Sequence, residues 1–388
     1  MRIAMVGPFG LRPRGTMAVR ALPMAHALAE RGHAVNVVLP PWQNPEDAGR
    51  SWKEDDVTVE NIPLPRRFPL LFHLVTALRL ARRVLALRPE VVHLFKPKAY
   101  SGMVHWLLRR LPRPRRPRLV VDSDDWEGSG GWNDLAPYTS AQRRFFAWQE
   151  RWGLTHADAI TVASRTLESL VWALGVPPER VSYVPNGVVS SIPRSSSPAI
   201  GDSRPAILLY TRFFEFPVSR VVELFRRVRE RAPEAWLLVV GKGMFGEERE
   251  LVAEAQRAGL AEAVEYIGWL EPEELPSAFA RAAVAIYPFD DTLVNRAKCP
   301  VKLLDLLAAG VPVAAEQVGE IGEVIRHGET GWLVEPGDVQ GLAEAVACLL
   351  EDAPLRERLG RAAARHVRAS RSWDRLVEVV ERAYGIPP

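Results

Sequence analysis

Cationic side chains and a glycine-rich turn in the second half of the sequence are suited to binding a diphosphate. Arg212 closes a predicted strand, where its planar guanidinium can pair with phosphate oxygens at a sheet edge. Lys302 lies in the first turn of a predicted helix, where its charge adds to the positive end of the helix dipole. Asp305 is on the same helical face and either accepts hydroxyl hydrogen bonds, as from a ribose, or pairs with Lys302. Gly319 opens a Gly-Glu-Ile-Gly turn whose backbone N–H groups can approach a phosphate.

A run of acidic residues in the first half provides a second candidate site. Asp122, Asp124 and Asp125 follow an apolar run and precede Trp126. The Asp-x-Asp pattern can hold Mg²⁺ or Mn²⁺ on a nucleotide diphosphate. The favoured interpretation is that Asp124 or Asp125 contacts hydroxyl groups of a sugar or an acceptor, with Trp126 as an aromatic face on the acceptor side. A purely structural role is the remaining alternative.

Short apolar runs alternate with amphipathic helical patterns, and this order positions the candidate groups. In the first half, strands are predicted over 3–7, 34–40, 57–62, 91–95, 118–125, 159–164 and 181–187, with helices over 16–31, 69–87, 100–111, 140–155 and 165–174. In the second half, strands are predicted over 206–212, 235–243, 264–269, 284–289, 312–317 and 331–336, with helices over 218–231, 247–258, 272–281, 302–309, 339–350, 355–368 and 372–384. Pro23 is expected to kink the first helix or to lie at a turn.

Length and composition divide the chain into two domains. The 388 residues suit two domains of somewhat under 200 residues each. Residues 189–204 are rich in Ser and Pro without periodicity, which is typical of a linker. The β-α order on either side predicts an α/β fold of two Rossmann-like, doubly wound parallel-sheet domains, 1–188 and 205–369, facing across a cleft. Ligands of such sheets bind outside the carboxyl ends of the strands.

The remaining composition excludes several classes of protein. A net charge of +3 does not suggest a general nucleic-acid binder. Two cysteines, Cys299 and Cys348, make neither a disulfide framework nor a metal site. The apolar start is too short for a signal peptide, and no run of 18 apolar residues could span a membrane. A cytoplasmic location is therefore the default expectation.

Basic residues are concentrated in one part of the first half. From Arg66 to Arg118 there are 14 Lys or Arg and one acid, Glu90. The helix predicted over 69–87 combines several of these arginines with a leucine-rich face. Such a segment could lie on an anionic membrane, at the inner face of the cell membrane, which would suit a lipid-linked acceptor. A solvated basic loop and a core-facing amphipathic helix are the alternatives.

The order and spacing of these motifs resemble the family 4 glycosyltransferases, which have the GT-B fold, over nearly the whole chain. The similar segments are RPRGTMAVRALPMAHALAERGHAVNVV (12–38), VSYVPNG (181–187), ILLYTR (207–212), LVVGKG (238–243), YIGWL (266–270), KLLDLLAAGVPVAA (302–315) and GEIGEVIRHGETGWLVEPGD (319–338). The resemblance implies metal-independent transfer of a sugar, with retention of anomeric configuration, from a nucleotide-diphosphate donor that serves as co-substrate without any cofactor. It also implies that a terminal helix over 370–388 packs back on the first domain.

The resemblance also implies roles for particular residues. Arg212 and Lys302 would contact the donor diphosphate and stabilise its charge as it leaves, and Asp305 would hold the ribose where the family usually has Glu. Asp124 takes the place of a family histidine that lies over the sugar, and is therefore a third candidate catalytic residue. The residues that the resemblance places around the donor are Gly15, Arg212, Gly241, Gly268, Trp269, Lys302, Asp305, Gly319, Glu320 and Ile321.

The chain departs from the family pattern at two further positions. The earlier of the family's two paired acids falls on Ala297, and Asp290 or Asp291 is a candidate replacement for its sugar contact. The family's lysine five residues after the strand arginine falls on Pro217. Arg212 and Lys302 would then carry the diphosphate alone.

Three functions remain open from the sequence. The favoured one is a retaining hexosyltransferase that builds a polysaccharide, a glycolipid or a small glycoside. A sugar-nucleotide epimerase on the same architecture would need acid-base residues around the sugar, and the chain has no obvious His-Glu set for them. A non-catalytic glycosyltransferase-like subunit would explain Ala297 and Pro217.

Overall fold

The chain forms two α/β units. The structure is a computed structural model and describes residues 1–13, 15–65, 71–188 and 205–387. Unit 1 comprises Met1–Gly187, Ala297–Cys299 and Trp373–Pro388, and unit 2 comprises Val188–Arg296 and Pro300–Ser372. The predicted linker at 189–204 and the start of the helix predicted over 69–87 lie outside the described residues.

Unit 1 is built on an eight-stranded sheet in the order β3-β4-β2-β1-β5-β6-β7-β8. Its strands are β1 Arg2–Val6, β2 Ala34–Leu39, β3 Ser51–Glu54, β4 Val57–Asn61, β5 Val91–Phe95, β6 Arg118–Ser123, β7 Ala159–Val162 and β8 Val181–Tyr183. All neighbouring pairs are parallel except β3 and β4, which form an antiparallel hairpin at the edge. β3 was not predicted, because its four residues alternate half-buried and exposed positions within a polar segment.

Helices cover both faces of this sheet. They are α1 Leu22–Glu30, α2 Phe72–Ala86, α3 Ala99–Arg109, α4 Trp132–Leu135, α5 Ser140–His156, α6 Arg165–Ala173 and, from the end of the chain, α15 Trp373–Ala383. A π-helical turn, Met17–Ala21, leads into α1, and Pro23 lies in the first turn of α1, immediately after this turn. The terminal helix α15 packs against α1, β7 and β8 through a buried apolar face that includes Trp373 and Val377.

Unit 2 is built on a six-stranded, wholly parallel sheet in the order β11-β10-β9-β12-β13-β14. Its strands are β9 Ala206–Thr211, β10 Trp236–Gly241, β11 Val264–Gly268, β12 Ala282–Tyr287, β13 Val313–Glu316 and β14 Trp332–Val334. Its helices are α7 Val218–Arg231, α8 Glu247–Arg257, α9 Leu275–Arg281, α10 Leu293–Ala297, α11 Val301–Ala308, α12 Ile321–Val324, α13 Val339–Glu351 and α14 Ala353–Ser370.

The predicted fold class is confirmed by the two sheets. β9 and β10 are buried at every residue, as expected of central strands covered by helices on both faces. Strand order reverses on either side of β1 in unit 1 and of β9 in unit 2, which is the doubly wound arrangement. In the described part of the chain, none of the helices is both long and apolar enough to cross a bilayer.

Candidate functional site

Three of the predicted donor-binding residues lie at the carboxyl ends of neighbouring strands in the unit 2 sheet. Arg212 follows the last residue of β9 directly and is exposed. Gly241 closes the neighbouring strand β10 at φ +131°, and a Cβ there would overlap the Thr211 carbonyl oxygen. Gly268 closes β11, the next strand along. Because these strands are adjacent and parallel, their ends form one polar edge with an exposed guanidinium and closely approachable backbone.

Lys302 brings a second cation to this edge. It is the second residue of α11, after the N-cap Pro300, and its Nζ lies 3.4 Å from the centroid of the Tyr210 ring of β9. The Trp269 ring centroid, just beyond β11, is 5.7 Å from the same Nζ. Aromatic ring faces attract a cation at these distances, so the ammonium is held beside the strand ends. Asp305 follows one turn later on the same helix and is half-buried.

An aromatic surface lies at the end of β11. Trp269 is 43% exposed, and its indole N–H donates to Glu271 Oε1 at 3.1 Å. Tyr266 donates its hydroxyl hydrogen bond to the carbonyl oxygen of Gly241 at 3.1 Å. This bond ties β11 to the glycine end of β10, and the exposed indole face is available for stacking with a planar ring.

The Gly-Glu-Ile-Gly turn is fixed by its own contacts. Gly319 adopts φ +51°, and a Cβ there would overlap the backbone of Arg296, so only glycine fits without displacement. Glu320 is buried, and its carboxylate lies 3.3 Å from the Arg371 guanidinium. The N–H of Ile321 donates to the Val318 carbonyl at 3.1 Å. The Glu320 side chain is therefore paired inside the protein. The backbone N–H groups around Gly319 remain the candidate phosphate-binding groups of this turn.

An ion-pair network around the buried Glu316 lies at the ends of β12 and β13, and the sequence patterns do not predict it. Arg220 of α7 pairs with Asp290 at 2.8 Å and with Glu316 at 3.0 Å. Glu316 also accepts hydrogen bonds from the backbone N–H groups of Phe289 and Gly337. Its carboxyl group is so enclosed that burial raises its pKa. Asp290 was a candidate replacement for the acid that is missing at Ala297. In the structure its carboxylate is paired with Arg220.

The other departures from the family pattern also have structural roles. Asp291 forms an ion pair with Arg296. Pro217 is the N-cap residue of α7. Ala297 is fully buried, and its carbonyl oxygen accepts a hydrogen bond from the Ser164 hydroxyl at 2.7 Å within unit 1. Ala297 and Pro217 have no charged side chain, and the neighbouring acids Asp290 and Asp291 are each paired with an arginine.

In unit 1, the first acid of the Asp-x-Asp pattern is bound by arginine. Arg20 donates to both carboxylate oxygens of Asp122, at 2.8 and 2.7 Å, and both side chains are fully buried. Burial acts to raise the pKa of Asp122, but Arg20 outweighs it and lowers that pKa. The remaining guanidinium hydrogen bonds reach Asn186 and the Val184 carbonyl. Both oxygens of Asp122 are therefore engaged by Arg20, which disfavours the metal-binding interpretation of this pattern.

Asp124 has a different environment. The Thr16 hydroxyl donates to its Oδ2 at 2.5 Å, and Lys96 Nζ lies 3.3 Å from its Oδ1. Burial raises the pKa of Asp124 to about 6, with Lys96 opposing the shift. Asp125 makes the closer contact with Lys96, and its pKa is lowered because Lys96 outweighs the effect of burial. Two adjacent acids thus titrate differently, which is the arrangement expected of groups with separate chemical roles.

Lys96 and Lys98 are site residues that the sequence interpretation missed. Lys96 follows β5 directly, and its Nζ also lies 3.5 Å from Glu127 Oε1. Lys98 Nζ contacts the other oxygen of Glu127 at 2.5 Å. The two lysines therefore join the loop after β5 to the loop after β6. The signal in the sequence was a Lys-Pro-Lys run at the carboxyl end of a buried strand.

Buried polar residues of α5 hold these two loops in place. Gln149 accepts from the Ala99 N–H at 2.8 Å and donates to the Ala99 carbonyl at 3.1 Å. Glu150 accepts from the Glu127 N–H at 2.8 Å, and burial raises the pKa of Glu150 to about 8. Lys96 and Ala99 have φ values of +53° and +51°, unfavourable for residues with a Cβ. Strained backbone that is fixed by buried side chains is frequent at functional sites.

The other predicted unit 1 residues lie near the same sheet edge. Gly15 precedes the π-helical turn, and its carbonyl accepts hydrogen bonds from Ala18 and Val19. Trp126 follows the acidic cluster, is half-buried, and donates its indole hydrogen bond to the Ser129 carbonyl at 3.0 Å. Unit 1 thus brings Asp124, Asp125 and Trp126 together in the loop after β6.

Comparison with known proteins matches both halves of the chain to family models. Residues 15–187 match the glycosyl transferase 4-like domain, and residues 196–366 match glycosyl transferases group 1. Phosphatidyl-myo-inositol mannosyltransferase of Mycobacterium leprae is 26% identical over 99% of this chain and 96% of its own length. Glycogen synthase of Mycobacterium tuberculosis is also 26% identical, over 61% of this chain. The chain spans 56% of the length of that glycogen synthase.

Solved structures agree on the fold. Sucrose-phosphate synthase from Thermosynechococcus elongatus superposes with a TM-score of 0.78 at 20% identity, covering 99% of this chain and 98% of that one. Anabaena Alr3699/HepE in complex with UDP and glucose superposes with a TM-score of 0.72 at 15% identity, covering 99% of each chain. With both family models matched in order along two parallel-sheet units, the chain belongs to the family 4 glycosyltransferases of the GT-B fold.

Proposed function

We propose that this glycosyltransferase moves a hexosyl group from a nucleotide-diphosphate donor to a hydroxyl acceptor, with retention of anomeric configuration and without a metal ion. The observation that carries the proposal is the pair of cations at one sheet edge of unit 2. Arg212 is exposed at the end of β9, and Lys302 is held against Tyr210 of the same strand. Arginine and lysine at such an edge supply the positive charge that a diphosphate requires.

The chemistry follows from where charge develops. The bond between the anomeric carbon and the phosphate oxygen breaks, and the bond to the acceptor oxygen forms on the same face. Negative charge on the departing diphosphate is stabilised by Arg212 and Lys302, and a phosphate oxygen takes the acceptor proton. In this proposal the exposed Trp269 indole packs against the nucleobase, and Asp305 accepts hydrogen bonds from the ribose.

On the acceptor side, Asp124 and Asp125 are the proposed hydroxyl-binding groups. The Oδ1 atom of Asp124 is buried and, beside its ion pair with Lys96 at 3.3 Å, accepts no hydrogen bond within the described residues. An acceptor or sugar hydroxyl would donate to such an oxygen at little cost, because the carboxylate is already removed from water. The positive charge of Lys96 lies close to both carboxylates and favours their ionised forms.

A lipid-linked acceptor is supported by one face of unit 1. Helices α2, α3 and α5 pack side by side, because each crosses the sheet in the same direction with a right-handed connection. We call their outer surface the α2–α3–α5 face. Its exposed apolar side chains are Leu71, Leu74 and Leu78 along α2, Trp106 of α3, and Phe145 and Trp148 of α5.

The charge of the α2–α3–α5 face complements an anionic membrane. The three helices carry seven arginines and one acid, Glu150, which is buried. Trp106 has the Arg110 guanidinium 3.1 Å from its ring centroid. Exposed tryptophan and leucine with surrounding arginine are typical of proteins that bind the interface of an anionic bilayer. The proposed site of action is the cytoplasmic face of the cell membrane, and the relative that acts on phosphatidyl-myo-inositol supports a lipid-linked acceptor.

A thermal-shift screen of UDP, GDP, ADP and dTDP sugars tests the donor assignment, since a ligand stabilises the folded state by mass action. Turnover of the donor that binds is then measured with candidate acceptors, and the anomeric configuration of the product is read by NMR. Nucleotide release with a retained anomer supports the proposal. Binding without turnover under any acceptor indicates a non-catalytic subunit, and an epimerised donor without acceptor indicates an epimerase. A melting point that no nucleotide shifts overturns the donor site.

A further inference from the structure

Unit 1 contains a cavity of about 360 Å³ away from the acidic cluster. It lies where the loops after β1 and β2 meet the hairpin of β3 and β4, at the carboxyl ends of β1, β2 and β4. Ligands of doubly wound sheets bind at this edge. A volume of this size falls within the range of small-molecule sites.

Two amide side chains in the cavity wall have unsatisfied oxygens. Asn61 ends β4 and is 4% exposed, and Asn44 lies in the loop after β2. The Oδ1 atom of each is buried and accepts no hydrogen bond within the described residues. A buried acceptor without a donor costs about 1–3 kcal/mol, so a water molecule or a ligand that donates to these two oxygens would be stabilised in the cavity. Both side chains line the cavity.

The charges in the wall are already compensated. Asp47 lies between two arginines, with its Oδ2 2.6 Å from Arg12 and its Oδ1 2.9 Å from Arg50. Arg12 also lies 3.5 Å from Glu46 Oε1, so two acids balance the two arginines. The wall therefore demands hydrogen-bond donors rather than a counter-ion. Trp52 of β3 adds a half-buried aromatic surface, whose indole N–H points to Glu54 at 3.5 Å. Amide oxygens beside an indole face match a ring that has hydroxyl groups on its edge and C–H groups on its face.

We propose that this cavity is a carbohydrate subsite that binds a sugar or cyclitol ring of the acceptor. The ring hydroxyls donate to Asn44 and Asn61, and Trp52 packs against the ring. Identification of the ring as part of the acceptor rests on the proposed glycosyltransferase function, whereas ring binding itself does not. The subsite selects for neutral, hydroxyl-rich rings, because the acids Asp47 and Glu46 balance the charges of Arg12 and Arg50.

Saturation-transfer difference NMR on the full chain tests ring binding without turnover. The probes are methyl α-D-mannopyranoside, methyl α-D-glucopyranoside and myo-inositol at millimolar concentration. We expect transfer to at least one probe from the wild type, and transfer reduced by about fivefold or more in Asn61→Leu and in Trp52→Leu, since each loses a contact worth about 1 kcal/mol. Trp172→Leu is the matched control, because Trp172 is exposed on α6 and is not part of the cavity.

The stability of Asn61→Leu separates binding from folding. Leucine of similar size removes the unsatisfied oxygen, so the melting point without ligand should stay the same or rise while the probe signal falls. Asn44→Ala provides the same test if Asn61→Leu does not fold. The subsite is overturned if no probe receives saturation, or if the signal is unchanged in the asparagine and Trp52 variants. If the subsite fails in this way but a nucleotide still shifts the melting point, the glycosyltransferase proposal is intact. If the ring probes bind but no nucleotide shifts the melting point, only the subsite proposal stands.

Discussion

Lys302 Nζ lies 3.4 Å from the centroid of the Tyr210 ring, so the first turn of α11 is tied to the strand that ends at Arg212. This contact brings a cation from the helix to the edge where the guanidinium emerges. Neither residue type is unusual alone. The functional proposal for unit 2 depends on the pair, because two cations at one sheet edge attract a diphosphate more strongly than one.

Removing either cation should weaken nucleotide binding. We expect Arg212→Ala and Lys302→Ala each to raise the dissociation constant of the preferred nucleotide by about 10- to 100-fold, since hydrogen bonds to charged groups contribute about 1.5–3 kcal/mol. Isothermal titration calorimetry measures the change. Lys53→Ala, which removes an exposed lysine from unit 1, should leave the affinity unchanged. Unchanged affinity in the Arg212 and Lys302 double variant would contradict their role.

The Gly319 turn should tolerate no side chain. Gly319→Ala places a Cβ against the Arg296 backbone at φ +51°, whereas Gly328→Ala at φ +74° meets no atom within 4 Å. Backbone strain alone costs about 1 kcal/mol, so Gly328→Ala should lower the melting point slightly. Gly319→Ala adds the overlap and should lower it at least twice as much, with weaker nucleotide binding. Equal melting points for the two variants would show that the turn has room to adjust.

Much of the fold could be predicted from local patterns. Helix α7 was predicted over 218–231, and the structure has it over Val218–Arg231. Pro217 marks its start, and the helical spacing of buried Val, Leu and Phe among arginines marks its length and its core face. The hairpin strand β3 was missed, since its pairing with β4, rather than its own pattern, makes it a strand. Tertiary pairing commonly overrides local preference in this way.

The candidate site was predicted in part. Arg212 and Lys302 were found because they lie at the end of a strand and the start of a helix, which are local features. The pairing of Lys96 with Asp124 and Asp125 was missed, because residues 28 and 29 positions apart meet only when two parallel strands align their ends. The same holds for Arg20 and Asp122, which are 102 positions apart. Which charge pairs with which is a property of the fold and not of spacing.

Glu150 should make unit 1 less stable at alkaline pH. Its pKa is raised to about 8, so the folded state holds a proton that the unfolded state releases above about pH 4.5. The unfolding free energy therefore falls as pH rises from about 4.5 to about 8, by an amount on the order of a few kcal/mol. Glu150→Gln keeps an oxygen for the Glu127 N–H and should flatten this slope, as measured by melting points at pH 5, 6.5 and 8. Glu179→Gln, an exposed substitution in unit 1, should keep the wild-type slope.

Lys96 should set the pH range in which Asp124 is ionised. Burial raises the pKa of Asp124 to about 6, and the positive charge of Lys96 opposes that rise. Lys96→Met should raise the Asp124 pKa further, so the acid limb of the kcat/KM profile should move to higher pH. Lys96→Arg should restore the limb toward the wild-type position. A uniform loss of activity at every pH, without a shift of the limb, would assign Lys96 a purely structural role.

The α2–α3–α5 face should bind anionic vesicles through both its apolar and its basic residues. We expect Phe145→Ala with Trp148→Ala to reduce co-sedimentation with phosphatidylglycerol-containing vesicles by about tenfold or more, because two large aromatic side chains leave the interface. Arg144→Gln with Arg151→Gln should also weaken binding, by about 1 kcal/mol per arginine, and this effect should disappear at high salt. Phe245→Ala is the control, since Phe245 is an exposed aromatic residue of unit 2 and is not part of this face. Equal binding to neutral phosphatidylcholine vesicles by all variants would show that the face does not recognise an anionic surface.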